Sequence, residues 1–148
     1  MARWKIKNVG MKGVSMAVPE NVVKTSDFDF FSQEEAEVFD NTVGIRRRHI
    51  APDNMCASDM CQAAAEKLLE ELGWERDSID VLLFESVTGD YRTPPTSCIL
   101  QDRLALSENC FCMDIPMGCC GCMYAITVAG NLLTTGNVKR ALLLIGDT

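Results

Sequence analysis

The chain is expected to fold as an α/β domain built on a mostly parallel sheet. Three observations predict this. Residues 79–87, 110–115 and 141–145 are short, almost uninterrupted apolar runs, the pattern of strands covered on both faces. The stretches between and before them carry helical periodicity. Strand, helix, strand, helix, strand, helix, strand is the order of a layered α/β fold. With 148 residues, 47% hydrophobic and 24% charged, the chain can bury a real core. No internal repeat, low-complexity tract or linker divides residues 1–148, so one domain is expected.

Residues 4–18 hold Ile6, Val9, Met11, Val14, Met16 and Val18, interrupted by Gly10 and Gly13 and closed by Pro19. A first strand or a bent hairpin fits that pattern. Residues 20–43 are less regular. Ser26-Asp27 can cap a short helix, and Ser32 with Glu35 has the capping-box spacing for a second. Phe28, Phe30, Phe31 and Phe39 supply apolar anchors. In residues 43–51, Arg46, Arg47 and Arg48 form the one strong basic cluster of an acidic chain. They read either as solvated charges on a strand or loop or as a docking patch for phosphate groups or an acidic partner.

Residues 58–72 form the clearest helix. Cys61, Ala64, Ala65, Leu68, Leu69 and Leu72 fall on one face, with Glu66, Lys67, Glu70 and Glu71 on the other. Ser58 or Asp59 is expected as N-cap, and Gly73 suits the position after the last turn. Residues 79–87 read as a central parallel strand, 88–95 as a loop, and 96–106 as a helix starting after Pro94-Pro95. Residues 110–115 form the next strand. Residues 121–135 carry hardly any charge, so that helix is expected to be buried nearly all round. Residues 141–145 make another buried strand. Only Gly146-Asp147-Thr148 follow it, and a fragment of a longer protein is expected.

The net charge of −7 disfavours generic nucleic-acid binding. No apolar run approaches a membrane span, and the first residues lack the apolar core of a signal peptide. A cytoplasmic protein is expected, with its eight cysteines reduced.

Chemistry concentrates in residues 111–128. A short strand leads into a tight turn, Gly118-Cys119-Cys120-Gly121, and then an apolar helix. A thiol at the start of a helix meets unpaired N–H groups and the positive end of the helix dipole. Both favour the thiolate, which is the nucleophilic form. The two glycines let the backbone turn sharply and let a substrate approach. Cys119 is therefore the candidate acyl-accepting nucleophile. Cys110 with Cys112, and Cys120 with Cys122, lack the two- to four-residue gap of a zinc ribbon. The ordinary fate of free cysteines is burial as small core residues. No metal and no cofactor is expected. His49, the only histidine, is the one candidate for a Cys–His pair, but its arginine-rich surroundings favour a structural role.

The segment Asp114-Ile115-Pro116-Met117-Gly118-Cys119-Cys120-Gly121-Cys122-Met123-Tyr124-Ala125 resembles the nucleophile motif of β-ketoacyl-acyl-carrier-protein synthase III. Residues 44–51 resemble the family's Gly-Ile-Arg-x-Arg segment, and residues 63–68 its first long helix. Residues 93–98 resemble the loop before its next helix, and 136–142 the approach to its later strand. The resemblance spans almost the whole chain. It implies one half, the N-terminal one, of a thiolase-like fold with a mixed, mostly parallel sheet.

It further implies a decarboxylative condensation. Cys119 takes an acyl group from acyl-CoA or acyl-ACP, and the carbanion from malonyl-ACP attacks the thioester. Acyl carrier protein is the implied partner and a homodimer the implied assembly, with no nucleic acid and no membrane involved. The family's His and Asn come from the other half, so His49 is not implied as the base and this chain alone is expected to be inactive. Thr93 stands where the family has the residue, often Phe, that reaches the partner's acyl pocket. Val38 and Thr42 stand where it has its CoA-contacting Trp and Arg, which favours a carrier-protein donor or a relative making a polyketide-type product. The competing expectation is a non-catalytic, cysteine-rich structural or metal-binding domain.

Overall fold

The computed structural model describes residues 5–148. The chain divides into two compact units: residues up to Ala17 together with Cys56–Thr148, and Val18–Met55.

In the larger unit, three strands form a parallel sheet. They are β3 (Val81–Glu85), β4 (Phe111–Ile115) and β5 (Ala141–Ile145), in the order β4-β3-β5. The central strand is the one the sequence marks as most apolar, and all five of its residues are buried. Its pleat divides the core in two. Leu82 and Phe84 pack with Leu142, Leu144, Cys61 and Leu100. Val81 and Leu83 pack on the other side with Ile115, Ala125 and Ala129. The first cluster is roofed by α2 (Ala57–Leu72) and α3 (Thr96–Arg103), the second by α4 (Gly121–Leu133).

Helix α2 buries Ala57, Cys61, Ala65 and Leu69, close to the expected stripe. Gly73 ends it at φ +60, where a residue without Cβ adopts the left-handed conformation freely. Its N-cap, however, is Cys56, not Ser58 or Asp59. Asp59 lies in the first turn and accepts from the Cys56 N–H at 2.8 Å. Ser58 turns inward and donates to Asp90 at 2.6 Å.

Three other expectations are corrected. Residues 5–18 carry no strand ladder, and residue 4 of that expected strand lies outside the described residues. The segment instead lies extended over helices: Ile6 sits against Gly130 of α4, and Gly13 lies under Leu68 and Leu72 of α2. Helix α4 is not buried all round, because it has only one sheet face to pack on. Met123 and Tyr124 are 64% and 53% exposed. Strand β5 is an edge strand among the described residues: Leu142 and Leu144 are buried on the α2 and α3 side, Ala141 and Leu143 are only half-buried on the other, and Ile145 stays exposed.

In the smaller unit, β1 (Val22–Lys24) pairs antiparallel with β2 (Arg47–His49). Helix α1 (Gln33–Val43) starts on the expected capping box. The Glu35 N–H donates to Ser32 Oγ at 3.3 Å, and the Ser32 N–H to Glu35 Oε2 at 2.9 Å. Among the described residues no helix is long and apolar enough to cross a membrane.

Candidate functional site

Parallel strands bring their carboxyl ends, and the loops leaving them, to one edge of the sheet. Here Glu85 of β3 stands in register with Ile115 of β4 and Ile145 of β5. The segments that follow those three residues leave the sheet at this edge. Asp147, just beyond β5, ties its own segment to the one that follows β3. Its carboxylate accepts from Ser86 Oγ and the Val87 N–H, both at 2.8 Å, and from the Thr88 N–H and hydroxyl. Burial works to raise this carboxyl's pKa, but those donors outweigh it and hold it below the ordinary aspartate value.

The thiol of Cys119 lies on the same edge, in the turn from β4 to α4, and is exposed. The turn is closed by the Gly121 N–H donating to Gly118 O at 2.7 Å. Cys120 caps α4, and the Cys119 N–H finds no acceptor among the described residues. Of the five cysteines between 110 and 122, the chain thus exposes Cys119 and Cys120, half-buries Cys112 and Cys122, and buries Cys110. The carboxylate of Asp114, also in the family-like segment, has a structural task. It accepts from the first two N–H groups of α3, Thr96 at 2.7 Å and Ser97 at 2.8 Å.

Glu85 was not legible as a site residue. It ends an apolar strand in phase with Val81 and Leu83, so the pleat turns it toward α4. That lone carboxylate at the close of an apolar run was the only available signal. The residue is 4% exposed. A Cβ on Gly121 would overlap its carboxyl group and come within 2.6 Å of its Cγ. Its Oε1 has no hydrogen-bond partner among the described residues. Burial first, then the nearby charge of Asp147, pushes its pKa above the ordinary glutamate value.

This contact yields an expected result. Gly121→Ala should lower stability by about 1–3 kcal/mol, the usual range for overpacking, as read from denaturant unfolding. In a Glu85→Ala background the same change should cost much less. An equal cost in both backgrounds would show that the carboxyl is not what Gly121 accommodates.

The other expected site residues are placed as follows. Thr93 is exposed in the loop between β3 and α3. In the smaller unit, His49 is exposed, and its Nδ1 lies 2.5 Å from Pro19 O. Of the three arginines, Arg48 is structural: its guanidinium lies over the rings of Phe39 and Phe28 at 5.4 and 6.0 Å. Arg46 and Arg47 remain exposed. Val38 and Thr42 line an open groove along α1 with Phe31 and Phe39. The described residues hold no cluster of three or more His, Cys, Asp or Glu arranged for a metal ion.

No family model matches the chain. It is 33% identical over 143 residues to a curated β-ketoacyl-[acyl-carrier-protein] synthase III of Clostridium perfringens, covering 97% of this chain and 44% of that one. It is 35% identical over 138 residues to the protein of that name from Geobacillus kaustophilus, covering 93% and 44%. Among solved structures, a 3-oxoacyl-(acyl-carrier protein) synthase from Burkholderia xenovorans superposes with a TM-score of 0.83 at 40% identity, covering 88% of this chain and 38% of that one. The chain therefore spans less than half the length of the relatives it matches.

Proposed function

We propose, for a chain similar in sequence and in its thiolase-like fold to under half the length of β-ketoacyl-acyl-carrier-protein synthases III, that the whole protein is an acyl-transferring condensing enzyme with Cys119 as its nucleophile. The observation that carries this reading is an exposed thiol in the turn that opens α4, at the carboxyl edge of a parallel sheet. A nucleophile so placed divides one difficult acyl transfer into two easier steps.

In the first step the Cys119 sulfur bonds to the carbonyl carbon of an acyl thioester, and the donor leaves as a thiol. In the second, a malonyl group on acyl carrier protein loses carbon dioxide. Its carbanion attacks the enzyme-bound thioester, a carbon–carbon bond forms, and the Cys119 sulfur is released. The product is a 3-oxoacyl carrier protein. Each step passes through an oxyanion that needs N–H donors. The unpaired Cys119 N–H is the donor this chain offers.

The donor is an acyl carrier protein or a coenzyme A thioester. Val38 and Thr42 offer neither the ring nor the guanidinium expected of an adenine grip, which favours the carrier protein. Thr93 is small, so it leaves room for an acyl chain longer than acetyl. With full-length protein and donors graded from acetyl to decanoyl, the acylation rate should peak above acetyl. A strict acetyl preference would count against this role of Thr93.

The reading as a whole is tested by mass spectrometry of full-length protein after incubation with an acyl thioester. One acyl group per chain is expected, on the peptide that contains Cys119. Stable acylation on a different peptide would overturn the assignment.

A further inference from the structure

We propose that Glu85 is an acid–base group of the Cys119 site, taking the thiol proton as the acyl-enzyme forms and returning it to the departing thiol. The inference rests on Cys119 being the nucleophile and adds a residue to that reaction. Three independent observations carry it. The pleat of the central strand directs Glu85 to the α4 side, with Val81 and Leu83 behind it. Its carboxyl packs on Gly121, the residue that closes the turn bearing Cys119. Its Oε1 is buried with no partner among the described residues. A buried oxygen without a hydrogen bond is destabilising, and such a group in a native fold calls for a role such as catalysis.

The step balances. The S–H bond of Cys119 breaks and its proton passes to the Glu85 carboxylate. The freed electron pair of sulfur forms the bond to the acyl carbon. The bond from that carbon to the donor sulfur breaks, and the donor sulfur takes the proton from Glu85. The carboxylate is regenerated and the donor leaves as a thiol, with no other reactant consumed.

Glu85 must be ionised to accept the proton. The acylation rate should therefore rise with pH through its titration. Burial and the charge of Asp147 move that limb above the ordinary glutamate range. The charged group that acts on it is Asp147, beyond β5, and the head of α4 meets it at Gly121. Its register neighbours Ile115 and Ile145 are apolar.

The same upward shift fixes the sign of a folding control. A carboxyl that binds its proton more tightly when folded favours the folded state at low pH. That advantage is lost as pH rises from 4.5 through the higher folded value. Glu85→Gln should thus raise the melting temperature at neutral pH while it slows the reaction, a pairing expected of a functional residue.

The test follows Cys119 acylation in full-length protein by mass spectrometry from pH 5 to 9, with octanoyl-N-acetylcysteamine as probe. Glu85→Gln should slow acylation on the order of 10²-fold near neutral pH and erase the acidic limb. Glu85→Asp should restore the limb and part of the rate. A Glu85→Gln protein that acylates Cys119 within about threefold of the parent rate, with the same pH profile, overturns the proposal and leaves the nucleophile assignment standing. If the parent protein shows no acylation of Cys119, both fall together. Should Glu85→Gln not fold, Glu85→Asp decides: an unchanged rate and profile overturn the proposal, and a slowed rate with a displaced limb supports it.

Discussion

Cys119→Ala should abolish acyl transfer to the full-length protein, lowering the acylation rate on the order of 10⁴-fold or more, to background. Alanine is the right replacement because serine would keep a weak nucleophile in place. The main rival for the acyl group is the neighbouring thiol. Cys120 is exposed as well, but it sits at the N-cap position, φ −91 and ψ −8, one residue nearer the helix. Cys120→Ala should therefore acylate within a few-fold of the parent rate. If the two variants exchange behaviour, the nucleophile is Cys120. The core thiols do not confuse the result. Burial, with the charges of Asp147 and Asp90 behind it, pushes the Cys61 thiol up to about 11. Burial and then Cys110 push Cys112 up to about 12. Both stay protonated and unreactive at neutral pH.

Phe84→Ala should remove about 3–5 kcal/mol of stability, the range for deleting a fully buried aromatic ring. Phe84 is 1% exposed, the fourth of the five residues of the central strand. It packs between α2 and α3 on one side of the sheet, with Leu100, Leu142 and Leu144 around it. The loss combines transfer of the ring from water with the cavity left behind. Against a typical total of about 5–15 kcal/mol, it leaves the fold marginal. Phe111, 48% exposed at the start of β4, is the internal control, and Phe111→Ala should cost well under half as much. Denaturant midpoints measure both. Similar losses at the two positions would mean that the core is not centred on β3.

The elements most legible in the sequence were those whose signal is local. Ser32 and Glu35 cap α1 as their spacing demands, because a capping box involves only one turn of chain. Gly73 closes α2, and the period of Cys61, Ala65 and Leu69 sets its buried face. The errors share a cause. Residues 5–18 have strand-like alternation, but a strand also needs a neighbour to accept its hydrogen bonds. Ser58 has the chemistry of a cap, yet Asp90, 32 residues away, draws it inward. Arg48 was legible as one charge in a basic run, and the rings of Phe28 and Phe39 make it a packing residue instead.

The three parallel strands, the helices between them and a thiol at the head of the last helix were thus readable from residue order alone. Hydrophobic period and turn chemistry are properties of neighbouring residues, and they can be read along a line. Folding alone set Glu85 against Gly121, at the head of the helix that follows that thiol. The carboxyl meets Gly121 from 36 positions away, and its burial, its unpaired oxygen and its raised pKa are set by what folds against it.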